Sequence, residues 1–87
     1  MKYTVVWIPS ALRDLADLWN NAPDRAAVTG ATNAIDQLLA VDPQTRGEAR
    51  TGPKRILIEP PLVVHFTVSE PDLLVSVIAV WRWGKTP

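Results

Sequence analysis

The feature that most constrains the fold is the last third of the chain, where apolar runs alternate with proline-containing breaks. Val, Ile, Leu and aromatic residues fill three runs, at residues 55–59, 62–68 and 73–83. Pro60-Pro61 separates the first two runs, and Ser69-Glu70-Pro71-Asp72 separates the last two. Such runs favour strands and such breaks favour tight turns, so this segment is predicted to form a three-stranded antiparallel meander.

The first half of the chain is predicted to form one strand and two helices. Residues 3–8 are rich in Val, Ile and aromatic side chains, which is typical of a strand. Apolar residues then recur at helical spacing in two stretches, separated by Asn20-Asn21-Ala22-Pro23. Ser10 and Asp24 are the predicted N-terminal caps, and Asp42-Pro43 ends the second helix. The apolar stripe of that helix is Val28, Ala31, Ile35, Leu38 and Leu39.

The predicted order is β-α-α-β-β-β, in a single domain that spans residues 1–87. Helices that precede a set of hairpin-linked strands indicate an α+β fold, with an antiparallel helix hairpin packed on one face of one sheet. A chain of 87 residues suits one domain with a small core. No internal repeat or low-complexity tract is evident in the sequence.

Composition excludes several classes of chemistry. The chain has no cysteine and a single histidine, so disulfides, thiol nucleophiles and zinc sites are not expected. It also lacks a glycine-rich phosphate loop, and we expect no cofactor. The N-terminus does not resemble a signal peptide, and no apolar run approaches the roughly 20 residues that span a bilayer. A cytoplasmic protein without a membrane partner is therefore expected.

Positive charge is concentrated in one loop, although the whole chain has a formal net charge of zero. Arg46, Arg50, Lys54 and Arg55 lie within ten residues, and only Glu48 opposes them. Such a cluster predicts contact with an anion or with an acidic partner. A solvated loop is the alternative.

Strand alternation predicts which side chains share a face. In the middle run His65 faces away from Phe66, so it would lie on the side of the sheet that the helices leave uncovered. An uncovered apolar face marks a partner site, unless the long loop or a second copy of the chain covers it. In the last run strict alternation groups Val75, Val77, Ala79, Trp81 and Trp83 on one face. It groups Leu74, Ser76, Ile78, Val80 and Arg82 on the other.

Several sequence patterns together carry a family resemblance. The chain opens with Tyr-x-Val-x-Trp-x-Pro-Ser-Ala-x-x-Asp-Leu, has the basic loop before the meander, and continues with Leu-Val-Val-His-Phe-Thr-Val and Val-Ile-Ala-Val-Trp-Arg. With the element order, these patterns resemble the RelE/ParE superfamily of bacterial toxins over nearly the whole chain. The resemblance implies the toxin of a type II toxin–antitoxin system. It further implies an intracellular toxin in a hetero-oligomer with a small antitoxin protein.

The resemblance implies two alternative activities. RelE-like members cleave messenger RNA on the ribosome, whereas ParE-like members inhibit DNA gyrase and lack the RNase residues. Lys54 and Arg55 match the basic positions that enter the second strand. Val63 and Ala79 stand where the family has arginines, and Tyr3 is the only tyrosine, so the family's C-terminal tyrosine is missing.

The candidate catalytic residues are Lys54, which matches a basic position of the family, and two residues that would replace the missing arginines. RNA cleavage by 2′-hydroxyl attack needs a base, a cation at the phosphate and an acid. His65, whose ordinary pKa of about 6.5 suits proton transfer, forms the proposed catalytic set with Lys54 and with Arg82 as phosphate clamp. The predicted contacts to RNA or to a protein partner are Arg46, Arg50, Arg55, Trp81 and Trp83. Each candidate also has a structural alternative, such as a packed histidine or tryptophan.

Three functions remain open from the sequence. The favoured one is a metal-independent endoribonuclease that acts on messenger RNA at the ribosome, because the basic patch and His65 lie on one sheet edge. The second is a ParE-like inhibitor of DNA gyrase that cleaves nothing. The third is a non-toxic member of the family that acts as a binding module.

Overall fold

A computed structural model describes residues 2–50 and 52–84 of the chain. Its elements, in chain order, are β1 (Thr4–Trp7), α1 (Pro9–Asn21), α2 (Arg25–Val41), a 3₁₀ turn (Pro43–Thr45), β2 (Glu48–Ala49), β3 (Lys54–Glu59), β4 (Leu62–Ser69) and β5 (Leu74–Arg82). The predicted α+β order is confirmed, with β2 as an addition. Within the described residues, no helix has the length and apolar character needed to cross a membrane.

The strands form one sheet in the order β1-β5-β4-β3-β2. The predicted meander of β3, β4 and β5 is antiparallel throughout. β1 pairs with β5 in parallel, so the sheet is mixed. The parallel pairing follows from the topology. The helix hairpin returns the chain to the end of the sheet at which β1 began, so β3 and β5 run in the same direction as β1.

The added strand β2 lies in the segment that the sequence predicts as a polar loop. Its two residues pair with β3, with Glu48 opposite Ile56. Gly47 precedes it with φ of +65°, and a Cβ at this position would lie 2.0 Å from the backbone oxygen of Ile56. Only glycine therefore allows the loop to approach β3 closely enough to pair.

The predicted helix caps differ from those observed. Ile8 holds the N-cap position of α1 and Pro9 is the first helical residue, so Ser10 lies inside the helix and its predicted role as a cap is wrong. Proline is well suited to that first position because its φ is already helical. Asp24 holds the N-cap position of α2, as predicted, but its carboxylate makes no capping hydrogen bond. It accepts a hydrogen bond from Arg82 instead.

The core lies between the helix hairpin and one face of the sheet. The predicted stripe of α2 is buried there, except that Leu38 is half-buried. Leu15 and Leu18 of α1 pack against the edge of the same cluster. The buried residues of the cluster are Val28, Ala31, Ile35, Leu39, Leu57, Leu62, Val64, Phe66, Val75, Val77 and Val80.

A β-bulge in β5 changes which of its side chains share a face. His65 pairs with Ala79, whereas the next residue, Phe66, pairs with Val77, so Ile78 is the extra residue. Val80, beyond the bulge, is therefore on the core side with Val77. The strict alternation predicted for the last strand is wrong at this point: Ala79 and Trp81 do not share the face of Val75 and Val77.

Candidate functional site

The face of the sheet opposite the helices, which we call the outer face, carries the candidate site. The cross-strand register assigns its residues, because directly opposed side chains share a face. It has an apolar middle, and Ile58 is 44% exposed there. Its residues on the four strands β2 to β5 are Glu48, Lys54, Ile56, Ile58, Val63, His65, Thr67, Ser69, Leu74, Ser76, Ala79 and Trp81.

His65 lies at the centre of the outer face, between Ile56 on β3 and Ala79 on β5. Its ring meets the ring of Trp81 edge to face, with the ring centroids 5.1 Å apart and the planes at 78°. Burial lowers the pKa of His65, and the positive charges of Lys54 and Arg50 lower it further. The imidazole is therefore neutral at pH 7, able to accept a proton or a hydrogen bond.

We expect the pKa of His65 to lie below 6.5 and to rise when Lys54 is replaced by methionine, because one opposing charge is lost. NMR titration of the Cε1 proton measures this directly, since the chain has only one histidine. Arg13→Gln, which removes a charge that does not contribute to the shift, is the control. The folded state would bind this proton more weakly than the unfolded state, so the unfolding free energy should fall as the pH is lowered below 6.5. A pKa of 6.5 or more in the parent chain would contradict the placement of His65.

Of the four clustered basic residues, two border the outer face. Arg50 follows β2, and its Nη1 lies 3.0 Å from Oε2 of Glu48, a residue of this face. Lys54 is exposed at the start of β3, and its positive charge contributes to the lowered pKa of His65. These two side chains make one rim of the apolar surface cationic, and Glu48 offsets part of that charge.

Of the other two basic residues, Arg55 holds the loop in place. Arg55 lies opposite Phe66 on the core-side face, and its Nε donates to the backbone oxygen of Arg46 at 3.0 Å. Its Nη2 donates to the backbone oxygen of Gly47 at 3.3 Å. Arg46 is half-buried, and its Nε has no hydrogen-bond partner among the described residues. The structure thus divides the predicted cluster: Arg50 and Lys54 border the outer face, Arg55 supports the loop, and Arg46 contributes its backbone oxygen to that support.

Arg82 lies on the opposite face from His65. It pairs with Leu62 of the core side, and its Nη2 donates to Oδ2 of Asp24 at 2.6 Å. This hydrogen bond lowers the pKa of the Asp24 carboxyl, against the smaller opposing effect of its desolvation. Arg82 therefore fastens the end of β5 to the start of α2. The structure does not bring it together with His65 and Lys54.

The two tryptophans of the C-terminal segment differ in exposure. Trp81 is half-buried on the outer face beside His65, opposite Val63. Trp83 is 57% exposed in the turn after β5, and its backbone N–H donates to the backbone oxygen of Pro61. Both side chains are therefore accessible to a partner. The ring contact with His65 also holds Trp81 in place.

Part of the outer face is missed by the sequence-based site prediction. Ile56 and Ile58 complete its apolar surface, and Glu48 balances Arg50. Alternation along residues 54–58 places the two isoleucines with Lys54, but their proximity to His65 requires the register between β3 and β4. In the described part of the chain, no three His, Asp or Glu side chains are grouped so that they could hold a metal ion.

The described architecture is a strand, a helix hairpin and a meander in one mixed sheet, and this α+β fold matches that of RelE-like toxins. No family model matches the sequence, and no curated protein matches it. The similarity is found among solved structures. One chain of the toxin–antitoxin complex RelBE2 from Mycobacterium tuberculosis superposes with a TM-score of 0.75 at 16% identity, over 94% of this chain and 99% of that one.

Two further structures extend the comparison. A chain of the archaeal RelE–RelB complex from Pyrococcus horikoshii OT3 superposes with a TM-score of 0.69 at 16% identity, covering 99% of this chain and 100% of that one. A chain of the chromosomal ParDE toxin–antitoxin system from P. aeruginosa gives a TM-score of 0.66 at 16% identity, over 93% and 96% of the two chains. The fold is thus common to both the RelE and the ParE branch.

Proposed function

We propose that this chain is the toxin of a type II toxin–antitoxin pair and that its outer face binds a cellular target. The observation that carries the proposal is the uncovered outer face, where His65 and Trp81 form a fixed aromatic surface with Lys54 and Arg50 at its rim. Similarity of fold to chains of RelBE and ParDE assemblies over nearly the full length supports the toxin role. A small antitoxin protein is the proposed partner.

The placement of the cations favours binding over RNA cleavage. Cleavage needs a base, a cation and an acid arranged around one phosphate. His65 and Lys54 share the outer face, but Arg82 is held on the other side by Asp24. The positions opposite and beside His65 are the apolar Ala79 and Val63. A target-binding toxin without nuclease activity is therefore the primary proposal. The resemblance to ParE-like toxins makes DNA gyrase its proposed target.

A second candidate, cleavage of messenger RNA at the ribosome, is favoured by the state of His65. Its lowered pKa makes the imidazole a neutral base at pH 7, and Lys54 is near enough to influence it electrostatically. In this candidate His65 takes the 2′ proton as the 2′ oxygen attacks the phosphorus, and Lys54 stabilises charge on the phosphate. The bond between phosphorus and the 5′ oxygen breaks, and the protonated His65 returns its proton to that leaving oxygen. Arg50 would contact a neighbouring phosphate, and Trp81 would stack on a base.

Expression of the chain in a bacterium that lacks the partner protein separates these functions. Growth arrest with a DNA-damage response and unchanged messenger RNA 5′ ends is expected for the binding toxin. New 5′ ends soon after induction would replace it with the nuclease. Normal growth at a soluble expression level that matches a known toxin would contradict both and leave a non-toxic binding module.

Variants of His65 decide whether it acts as a base. If the chain is a nuclease, His65→Gln should lower the rate of RNA cleavage about 10²-fold or more, while the fold is retained. Arg13→Gln on the far side of α1 is the matched control and should cleave like the parent. If the chain only binds its target, His65→Gln removes just the ring contact with Trp81. In that case the variant should cause a smaller loss of growth arrest than Trp81→Ala does.

A further inference from the structure

The outer face carries opposite charges next to each other at its β2 side. Alternation along residues 48–50 directs Glu48 and Arg50 to the same face, and Nη1 of Arg50 lies 3.0 Å from Oε2 of Glu48. The Glu48 side chain is nonetheless 74% exposed, and that of Arg50 is 47% exposed. Each of the two ions can therefore contact a second ion of opposite charge from a molecule that covers this face.

The strand register arranges the outer face in rows that run across the strands. One row has His65 near its centre and Glu48 at its β2 end. The next row has Thr67 near its centre. Arg50 is at the β2 end of that row, because its N–H donates to the oxygen of Lys54, which is opposite Thr67. Neighbouring rows are two residues apart along a strand, which is about 7 Å.

This arrangement is complementary to itself about a two-fold axis that crosses the strands midway between the two rows. In a symmetric dimer each contact occurs twice, with the roles of the two copies exchanged. About this axis Glu48 of each copy meets Arg50 of the other copy. His65 likewise meets the hydroxyl group of Thr67, which can donate a hydrogen bond to the neutral imidazole.

The same axis brings apolar side chains together. Trp81 lies one row beyond His65, and Leu74 lies one row beyond Thr67 on the other side of the axis. Trp81 of each copy therefore packs on Leu74 of the other copy. The two sheets meet face to face with their strands roughly aligned, which is the usual packing of a β-sandwich.

Electrostatic repulsion does not oppose the association of two copies. The chain has a formal net charge of zero, so two copies do not repel each other at a distance. Burial, together with the charges of Lys54 and Arg50, lowers the pKa of His65. At pH 7 the rings at the centre of the interface are therefore neutral.

We propose that the outer face is the interface of a symmetric dimer of this chain, held by reciprocal contacts of Glu48 with Arg50 and of Trp81 with Leu74. The dimer covers the surface that the proposed function assigns to the cellular target, so a copy binds its target only as a monomer. That masking rests on the proposed function, whereas the dimer itself does not. A face of this size supports a weak dimer, with a dissociation constant of about 10 µM or above.

Exchange of the two charges tests the interface on the full chain. Sedimentation equilibrium up to about 1 mM protein should show the parent dimer. Glu48→Arg and Arg50→Glu should each weaken it about tenfold or more, because like charges then face each other twice. An equimolar mixture of the two variants should dimerise like the parent, since each introduced charge meets its opposite. Circular dichroism checks that both variants, which change exposed side chains, are folded.

Arg13→Glu on α1 is the matched control for Arg50→Glu, because it makes the same change of charge at an exposed position outside the outer face. It should dimerise like the parent, and it should not restore dimerisation when mixed with Glu48→Arg. NMR signals of the His65 ring and the Trp81 indole should shift with parent concentration, which places the contact on the outer face.

A parent chain that stays monomeric at about 1 mM would overturn the proposal. So would a dimer that leaves the His65 and Trp81 signals unchanged, that withstands both charge changes, or that the mixture does not restore. Restoration by Arg13→Glu would show an effect of net charge alone and would also overturn it. These readouts are independent of growth arrest. A monomeric chain that arrests growth removes the dimer and keeps the proposed function, and a dimeric chain that does not arrest growth does the reverse.

Discussion

Replacing Phe66 by alanine is expected to lower the unfolding free energy by about 3–5 kcal/mol. Phe66 is fully buried, is the largest of the fully buried side chains, and belongs to the cluster that joins α2 to the sheet. It also lies at the bulge, opposite Val77, so its ring supports the strand where the pairing register changes. A domain of this size is stabilised by only about 5–15 kcal/mol, so the loss is a large part of the total.

Urea denaturation followed by circular dichroism measures this effect. Trp83→Ala is the control, because it removes a large aromatic side chain that is 57% exposed, and it should change stability by about 0.5 kcal/mol or less. If Phe66→Ala does not fold, Phe66→Leu keeps the measurement possible, with a smaller expected loss of about 1–2 kcal/mol. A loss below about 1 kcal/mol for the alanine variant would contradict the position of Phe66 in the core.

The elements that were predictable from sequence are those with strong local signals. The meander follows from three apolar runs with proline-containing breaks, and the helix hairpin from helical spacing that ends at Asp42-Pro43. The stripe of α2 and the outward position of His65 follow from the same periodicities. These patterns act within a few residues, so they need no knowledge of the partner elements.

The features that were not predictable depend on contacts between distant residues. Nothing in the sequence around Ile78 marks a bulge, because Val-Ile-Ala-Val is a regular strand sequence whether or not the register shifts there. The bulge lies just after Val77, where the pairing of β5 with β1 ends, and it puts Val80 on the core side of the sheet. β2 is equally hidden, since two residues in a polar loop have no periodicity and pair only through the close approach at Gly47.

In the candidate site, too, some placements follow from local alternation and others depend on contacts between distant residues. Lys54 on β3 and His65 on β4 come together because simple alternation puts both on the outer face of two paired strands. Arg82 is predicted as a catalytic residue from its chemistry, but its direction depends on the bulge, and its partner Asp24 lies 58 residues away. Chemistry that is read from residue type alone therefore identifies candidates, whereas the register decides which of them share a surface.

Replacing Trp81 by alanine is expected to cause the largest functional loss on the outer face. Its ring is held edge to face against His65, so it presents a fixed aromatic surface to a target. Tryptophans in such positions are frequent hot spots, with losses of about 2 kcal/mol or more, which corresponds to about 30-fold in affinity. In cells that lack the partner protein, half-maximal growth arrest should therefore require about 30-fold more of the variant.

Trp19→Ala is the matched control for this experiment. Trp19 is a 40% exposed tryptophan of α1 that contacts Arg25 and Thr29, so its removal costs packing without changing the outer face. The Cε1 proton of His65 reports independently on Trp81, because its chemical shift contains the ring current of the neighbouring indole. Trp81→Ala should move that signal, and Trp19→Ala should not. If Trp81→Ala arrests growth as strongly as the parent at equal soluble levels, while the His65 signal has moved, the outer face is not the surface that binds the target.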